Sequence, residues 1–136
     1  MEKYIHKVNY YETDKMGIVH HSNHIKWMEE ARVDFLDQIG LSFRRMEDLG
    51  IFSPVLSVEC EYTTPAFFGD RIAVAVGIEE YKGLRLVVKY IMTSAESGEI
   101  VAEGRTKHCF VDAAGKPIAL RKSFPEINAI LKEAAE

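Results

Sequence analysis

A chain of 136 residues is long enough to bury one core, and its balance of 47% apolar and 28% charged residues is that of a folded globular protein. A formal net charge of -4 excludes the broad basic face of a general nucleic-acid binder, though a local basic patch is still allowed. Cys60 and Cys109 are too few and too far apart for a disulfide framework or a CxxC metal site, so each is expected to be a buried reduced thiol.

The start, Met1-Glu2-Lys3-Tyr4, lacks the apolar core of a signal peptide, and no later run is long enough to span a membrane. A cytoplasmic location is therefore expected. The first strand is predicted over Tyr4–Tyr11. A long helix follows from about Asn23 to Ile39, because Ile25, Met28, Ala31, Phe35, Leu36 and Ile39 recur at spacings of three and four. Gly40 supplies its C-terminal stop, and Ser42 caps a short second helical segment through Leu49 that Gly50 closes. The period then changes to two. Strands are predicted over Phe52–Thr64, Arg71–Tyr81, Leu84–Ala95 and Glu99–Val111, separated by Pro65, Phe67-Phe68-Gly69-Asp70, Lys82-Gly83 and Ser97-Gly98. After the loop Asp112–Pro117, Ser123 starts a C-terminal helix carrying Ile127, Ile130 and Leu131, with Pro125 in its first turn. No repeat or Pro/Gly/Ser-rich linker divides the chain, so residues 1–136 read as a single domain. One strand, one long helix and four strands joined by short turns make an α+β domain with an antiparallel sheet that can curl around the helix.

The segment Tyr10–Asn23 carries the densest chemistry. Asp14 precedes a helix N-terminus, where unpaired N–H groups and the helix dipole can hold an anion; a carboxylate facing such donors can attack a carbonyl group. Capping is the bland alternative for Asp14. Gly17 permits a turn or a close backbone approach, and the amides of Val19, His20 and His21 are candidates for an oxyanion hole. The His21 side chain could orient Asp14 or move a proton near neutral pH, whereas His20 reads as a surface histidine. Asn23 suits an N-cap. Glu29 either pairs with Arg32 at i, i+3 or lies buried and reaches back toward the loop, and Tyr10 could shape a pocket. His20 and His24 have a zinc-compatible i, i+4 spacing, but no further ligand pattern completes a metal site, and none is expected. The chain has no GxxxxGK[ST], GxGxxG or Gly-x-Ser-x-Gly, so neither a nucleotide cofactor nor a serine nucleophile is indicated.

The run Tyr11-Glu12-Thr13-Asp14-x-x-Gly17-Ile18-Val19-x-His21-x-Asn23, followed by Trp27-x-Glu29-x-Ala31-Arg32, resembles the hotdog-fold acyl-CoA thioesterases, in the branch of 4-hydroxybenzoyl-CoA thioesterase and the YbgC-like enzymes. Pro65-x-x-x-Gly69-Asp70 and Val111-Asp112-x-x-Gly115-Lys116-Pro117 extend the resemblance over nearly the whole chain. It implies a hotdog fold, a curved antiparallel sheet wrapped around one long central helix. It also implies hydrolysis of acyl-CoA thioesters without cofactor, with Asp14 as nucleophile or general base and His21 assisting. Tyr10, Gly17, Asn23 and Glu29 are the candidate substrate-binding positions. The active site would lie between subunits of a homodimer, commonly paired into a homotetramer. The family usually has Asp at Glu12 and commonly Tyr at His24, changes expected to affect local hydrogen bonding and acyl preference respectively. Lys82, Arg85, Lys89, Arg121 and Lys122 are available for CoA phosphates, with none assigned. A hydratase or dehydratase on the same fold, and a non-catalytic acyl-CoA-binding module, are the alternatives. The acyl group is left open.

Overall fold

The structure, a computed structural model, describes residues 1–136. In chain order the elements are β1 (Tyr4–Lys7), a 3-10 turn (Tyr10–Glu12), α1 (Ser22–Gln38), α2 (Phe43–Asp48), β2 (Val55–Tyr62), β3 (Arg71–Tyr81), β4 (Arg85–Ser94), β5 (Ile100–Cys109), α3 (Leu120–Ser123) and α4 (Pro125–Ala134). The five strands form one sheet in the order β1-β3-β4-β5-β2, antiparallel at every step. Short turns give β3, β4 and β5 their neighbour pairing, while the long excursion through α1 and α2 sends β1 and β2 to opposite edges.

Helix α1 touches both edge strands as well as β3, so the sheet curves around it. Helix and sheet come close together at Gly104 on β5. A Cβ there would lie 2.5 Å from Met28 Sδ and 2.8 Å from the Glu59 carbonyl oxygen, so only glycine lets helix and sheet meet. Trp27, Met28 and Ala31 from α1 are fully buried against Ile72, Val74, Tyr90, Met92 and Ala102 of the sheet. Fully burying a large apolar side chain contributes about 1.5–3 kcal/mol, so this contact anchors the fold.

Several expectations change in detail. The first strand ends at Lys7 rather than Tyr11, because Glu12 turns back on the chain and its Oε1 accepts the Asn9 N–H at 2.7 Å. Tyr10 and Tyr11 are left 76% and 82% exposed. The buried face of α1 is Asn23, His24, Trp27, Met28, Ala31, Arg32 and Phe35, whereas Ile25 is exposed. Three polar residues thus sit on a stripe that an apolar-only count displaces sideways. β2 alternates in sequence, yet it is exposed along nearly its whole length; it is an edge strand paired only with β5. Ser123 does not start the last helix; it ends the single turn α3, and α4 begins at Pro125. Ser42 does cap α2, accepting the Arg45 N–H at 3.0 Å. Both cysteines are unpaired and half-buried rather than fully buried.

Candidate active site

Asp14 sits at the tip of a tight hairpin. Thr13 and Val19 bridge as an antiparallel pair, the Asp14 N–H donates to the Ile18 carbonyl at 2.8 Å, and the Gly17 N–H donates to the Asp14 carbonyl at 3.0 Å. Gly17 has φ +78°, a left-handed conformation that costs a side-chain-bearing residue more than glycine. The Asp14 carboxylate is solvent-exposed. Its Oδ1 accepts the Met16 N–H at 2.8 Å and the Ile18 N–H at 3.3 Å, while Oδ2 accepts nothing. Asp14 therefore does not cap α1. One oxygen organises its own turn, and the other is free.

The base of this hairpin is tied to the start of α1. The Glu12 carbonyl accepts the His20 N–H at 2.8 Å and the Asn23 Nδ2 at 2.9 Å. Asn23 is thus not the N-cap; it lies one residue inside the helix, buried, with its amide turned back across the loop. His21 takes the N-cap position.

The three candidate oxyanion amides separate. The Val19 N–H donates to the Ala66 carbonyl and the His20 N–H to Glu12, each at 2.8 Å, so both are already engaged. The His21 N–H has no acceptor within the chain. Tyr62 on β2 reinforces this turn, its hydroxyl donating to the His21 carbonyl at 2.7 Å. The His21 ring stacks on His20 at 4.3 Å and meets Tyr62 edge-on at 6.3 Å, without a hydrogen bond to Asp14. His20 Nδ1 pairs with the Ser22 hydroxyl at 2.8 Å. No group of three His, Cys, Asp or Glu side chains is placed to hold a metal ion.

Of the remaining candidates, Tyr10 packs edge-on against Phe68 at 5.6 Å. Glu29 is exposed and forms neither of the contacts considered for it; Arg32 points instead into the core and donates to the Tyr90 hydroxyl at 3.1 Å. That pairing spans 58 residues and has no signal in local spacing.

The residue whose importance was least visible is Glu12. It is 4% exposed, yet its Oε1 accepts from the Asn9 N–H and pairs with His6 Nε2 at 2.9 Å, and its Oε2 accepts the Trp27 indole N–H at 2.7 Å. Burial pushes its pKa up, but the hydrogen bonds from Asn9, His6 and Trp27 outweigh that and hold it below the usual value. Side chain and carbonyl together make Glu12 the clasp between the Asp14 hairpin, the core and α1. The departure from the family's Asp places the longer side chain within reach of Trp27. His24, the other departure, is buried against the rings of Trp27 and Tyr62 at 4.8 and 4.7 Å. Its Nδ1 has no partner, and burial holds its pKa below the ordinary value.

A five-stranded antiparallel sheet curved around a long helix, with an acidic hairpin clasped to that helix's start, defines a hotdog domain of the thioesterase type. The chain belongs to the Thioesterase-like superfamily, whose model matches residues 8–133. It is similar to YneP of Bacillus subtilis, 35% identical over 129 residues that cover 94% of this chain and 93% of that one. It is also 28% identical over 133 residues to the acyl-CoA thioesterase YbgC of Helicobacter pylori, covering 91% and 98% of the two chains. Among solved structures, the DHNA-CoA thioesterase from Staphylococcus aureus superposes with a TM-score of 0.91 at 33% identity, covering 97% of this chain and 89% of that one.

Proposed function

We propose that this protein hydrolyses acyl-CoA thioesters and that Asp14 carries the chemistry. The observation that carries the reading is the split role of the Asp14 carboxylate: Oδ1 is held by two backbone amides while exposed Oδ2 has no partner. A fixed carboxylate with one open oxygen can act as nucleophile on the thioester carbonyl, or take a proton from a water that attacks it. In the first case the acyl group passes to Asp14 as a mixed anhydride while the C–S bond breaks and the CoA thiolate leaves, taking a proton from solvent. Water then hydrolyses the anhydride to the free acid and the Asp14 carboxylate. In the second, Asp14 returns the proton to the departing thiolate. The negative charge that develops on the carbonyl oxygen goes to the His21 N–H, the one candidate amide left unengaged. The rings of His21, His24 and Tyr62 then form one wall beside the reacting group, with Gly17 and Asn23 shaping the loop. Relatives acting on CoA thioesters support the substrate class.

We further propose that the active unit is a homodimer, paired into a homotetramer. β2 is an edge strand whose free side carries exposed Val55, Leu56, Val58 and Tyr62, a surface suited to a second copy. Tyr62 lies both on that strand and against His21, so pairing there would complete the site between subunits. A cytoplasmic location fits an acyl-CoA substrate. Separately, no helix is long and apolar enough to cross a membrane.

The test is thiol release from short-chain, long-chain and aromatic acyl-CoAs by the wild type and Asp14→Asn. Asparagine keeps an Oδ1 that accepts the Met16 and Ile18 amides, so the hairpin survives and the change reads chemistry. The expected loss in kcat/KM is about 10²–10⁴-fold with an unchanged melting temperature. Equal hydrolysis by Asp14→Asn removes Asp14 from the mechanism, and no hydrolysis of any ester by the wild type removes the proposed activity.

A further inference from the structure

At the other end of α1 lies a cavity of about 340 Å³ that the thioesterase reading does not use. It opens between the C-terminal half of α1, α2, residues 51–54 and the ends of β4, β5 and α4. Its walls are mainly apolar, with Leu36, Phe43, Ile51, Phe52, Phe110 and Leu131 among them. Arg32 lines it too, about 15 Å along the helix axis from Ser22 at 1.5 Å per residue, far from the Asp14 hairpin.

Arg32 is the anomaly. It is 8% exposed, yet no carboxylate reaches ion-pair distance, and its single hydrogen bond is the one to Tyr90. The Tyr90 hydroxyl pairs with Thr106 Oγ1 at 2.6 Å, which pairs with His108 Nε2 at 2.8 Å. That chain is neutral, so it can orient the guanidinium but cannot balance its charge. The residue is buried, yet its unused donors are open to the cavity, so the guanidinium can receive an anion there, and the planar fork fits a carboxylate best. Glu47 also lines the cavity, exposed and unpaired with Arg32. One cation and one acidic neighbour disfavour a phosphoryl group, which carries more charge than Arg32 can offset. The volume lies at the low end of small-molecule pockets, about 300–1,000 Å³, too small for a CoA ester.

We propose that this cavity is a second binding site, for a monocarboxylic acid with a short aliphatic or single-ring body, its carboxylate on Arg32 and its apolar part among Phe43, Phe52 and Leu131. The inference does not depend on the role of Asp14.

The probes are octanoate and benzoate, with octanamide and benzamide as neutral counterparts, titrated calorimetrically into the full-length protein and followed by ligand-to-protein nuclear Overhauser contacts. The expected result is binding of at least one acid, about tenfold or more tighter than its amide, with contacts to Phe43, Phe52 and Leu131. Arg32→Gln is expected to remove that preference. Should Arg32→Gln fail to fold, the acid-to-amide comparison and the contacts in the wild type decide the question by themselves. Equal binding of acid and amide, contacts running to Tyr62 and His21 instead, or no binding of either acid at millimolar concentration overturns the proposal.

Discussion

Two polar networks are buried on the same helix, and they differ in how completely they are satisfied. The Glu12 network beside the start of α1 is closed: its carboxylate meets Asn9, His6 and Trp27, and its carbonyl meets His20 and Asn23. The network running from Arg32 through Tyr90 and Thr106 to His108 is open at both ends. Arg32 lacks an anion, and His108 Nδ1 lacks any partner in hydrogen-bond geometry. Closed networks hold a backbone in place, because every member loses something if the others move. Open ones leave binding capacity or pH sensitivity, because a missing partner is a standing free-energy cost that a ligand or proton can change. A buried residue in this protein therefore says more through its unmet bonds than through its identity.

The largest expected effect on stability is removal of the clasp. Glu12→Ala strands the Trp27 indole N–H, the Asn9 N–H and His6 together. A loss of about 3–5 kcal/mol is expected, measured by urea denaturation, and the Asp14 hairpin should exchange its amide protons faster than the sheet. Glu12→Asp keeps the charge but is one methylene shorter, so a loss of about 1–2 kcal/mol is expected, within the range for one hydrogen bond. A fully stable Glu12→Ala would mean that the hairpin is held by something other than this network.

The open network should show itself in acid. Burial first, then the nearby Arg32 charge, pushes the His108 pKa down to about 4 from an ordinary 6.5; the carbonyls of Ser53 and Pro54 oppose this only partly. The unfolded chain then takes up the proton before the folded one does as pH falls. The stability that neutral His108 contributes is present above about pH 6.5 and is lost as pH falls through about 4. A fall from 6.5 to about 4 corresponds to roughly 3 kcal/mol at 1.36 kcal/mol per pH unit. Glu12, whose pKa is held below its ordinary 4.5, adds a separate loss only at lower pH. Denaturation of wild type and His108→Gln between pH 7 and 4 separates the two. The variant should lose most of the wild-type slope above pH 4.5, while buried His24 leaves both proteins a smaller slope of the same sign. Identical slopes would place the acid sensitivity elsewhere.

The elements built from local rules were legible. α1 shows its period, the turns at Lys82-Gly83 and Ser97-Gly98 show their residues, and Ser42 shows its capping spacing. What escaped was set by contacts distant in sequence. Nothing near Glu12 announces that Trp27, fifteen positions on, will take one of its oxygens, and nothing near Arg32 announces Tyr90. The oxyanion question escaped for a related reason: Val19 and His20 look equivalent to His21 until Ala66 and Glu12 claim their amides. Exposure of β2 was hidden because alternation predicts one buried face and does not say that the strand will lie at the sheet's edge, exposed along nearly its whole length.

Tyr62 provides the smallest and most discriminating comparison, because it joins that edge to the candidate oxyanion donor. Its hydroxyl supports the His21 carbonyl, one peptide unit away from the free His21 N–H, and is replaceable by Phe without loss of ring packing against His24. Burial, then the neighbouring Cys60 thiol, pushes its pKa up to about 12, so it remains a donor throughout the neutral range. Tyr62→Phe removes one partly exposed hydrogen bond, for an expected loss of about 0.5–1 kcal/mol. The catalytic effect should exceed the stability effect if that bond aims the amide: kcat is expected to fall by about tenfold with KM nearly unchanged, since an amide aimed at developing charge acts in the transition state. A fall confined to KM would assign Tyr62 to substrate binding. No change in either would leave the His21 turn held by the Glu12 clasp alone.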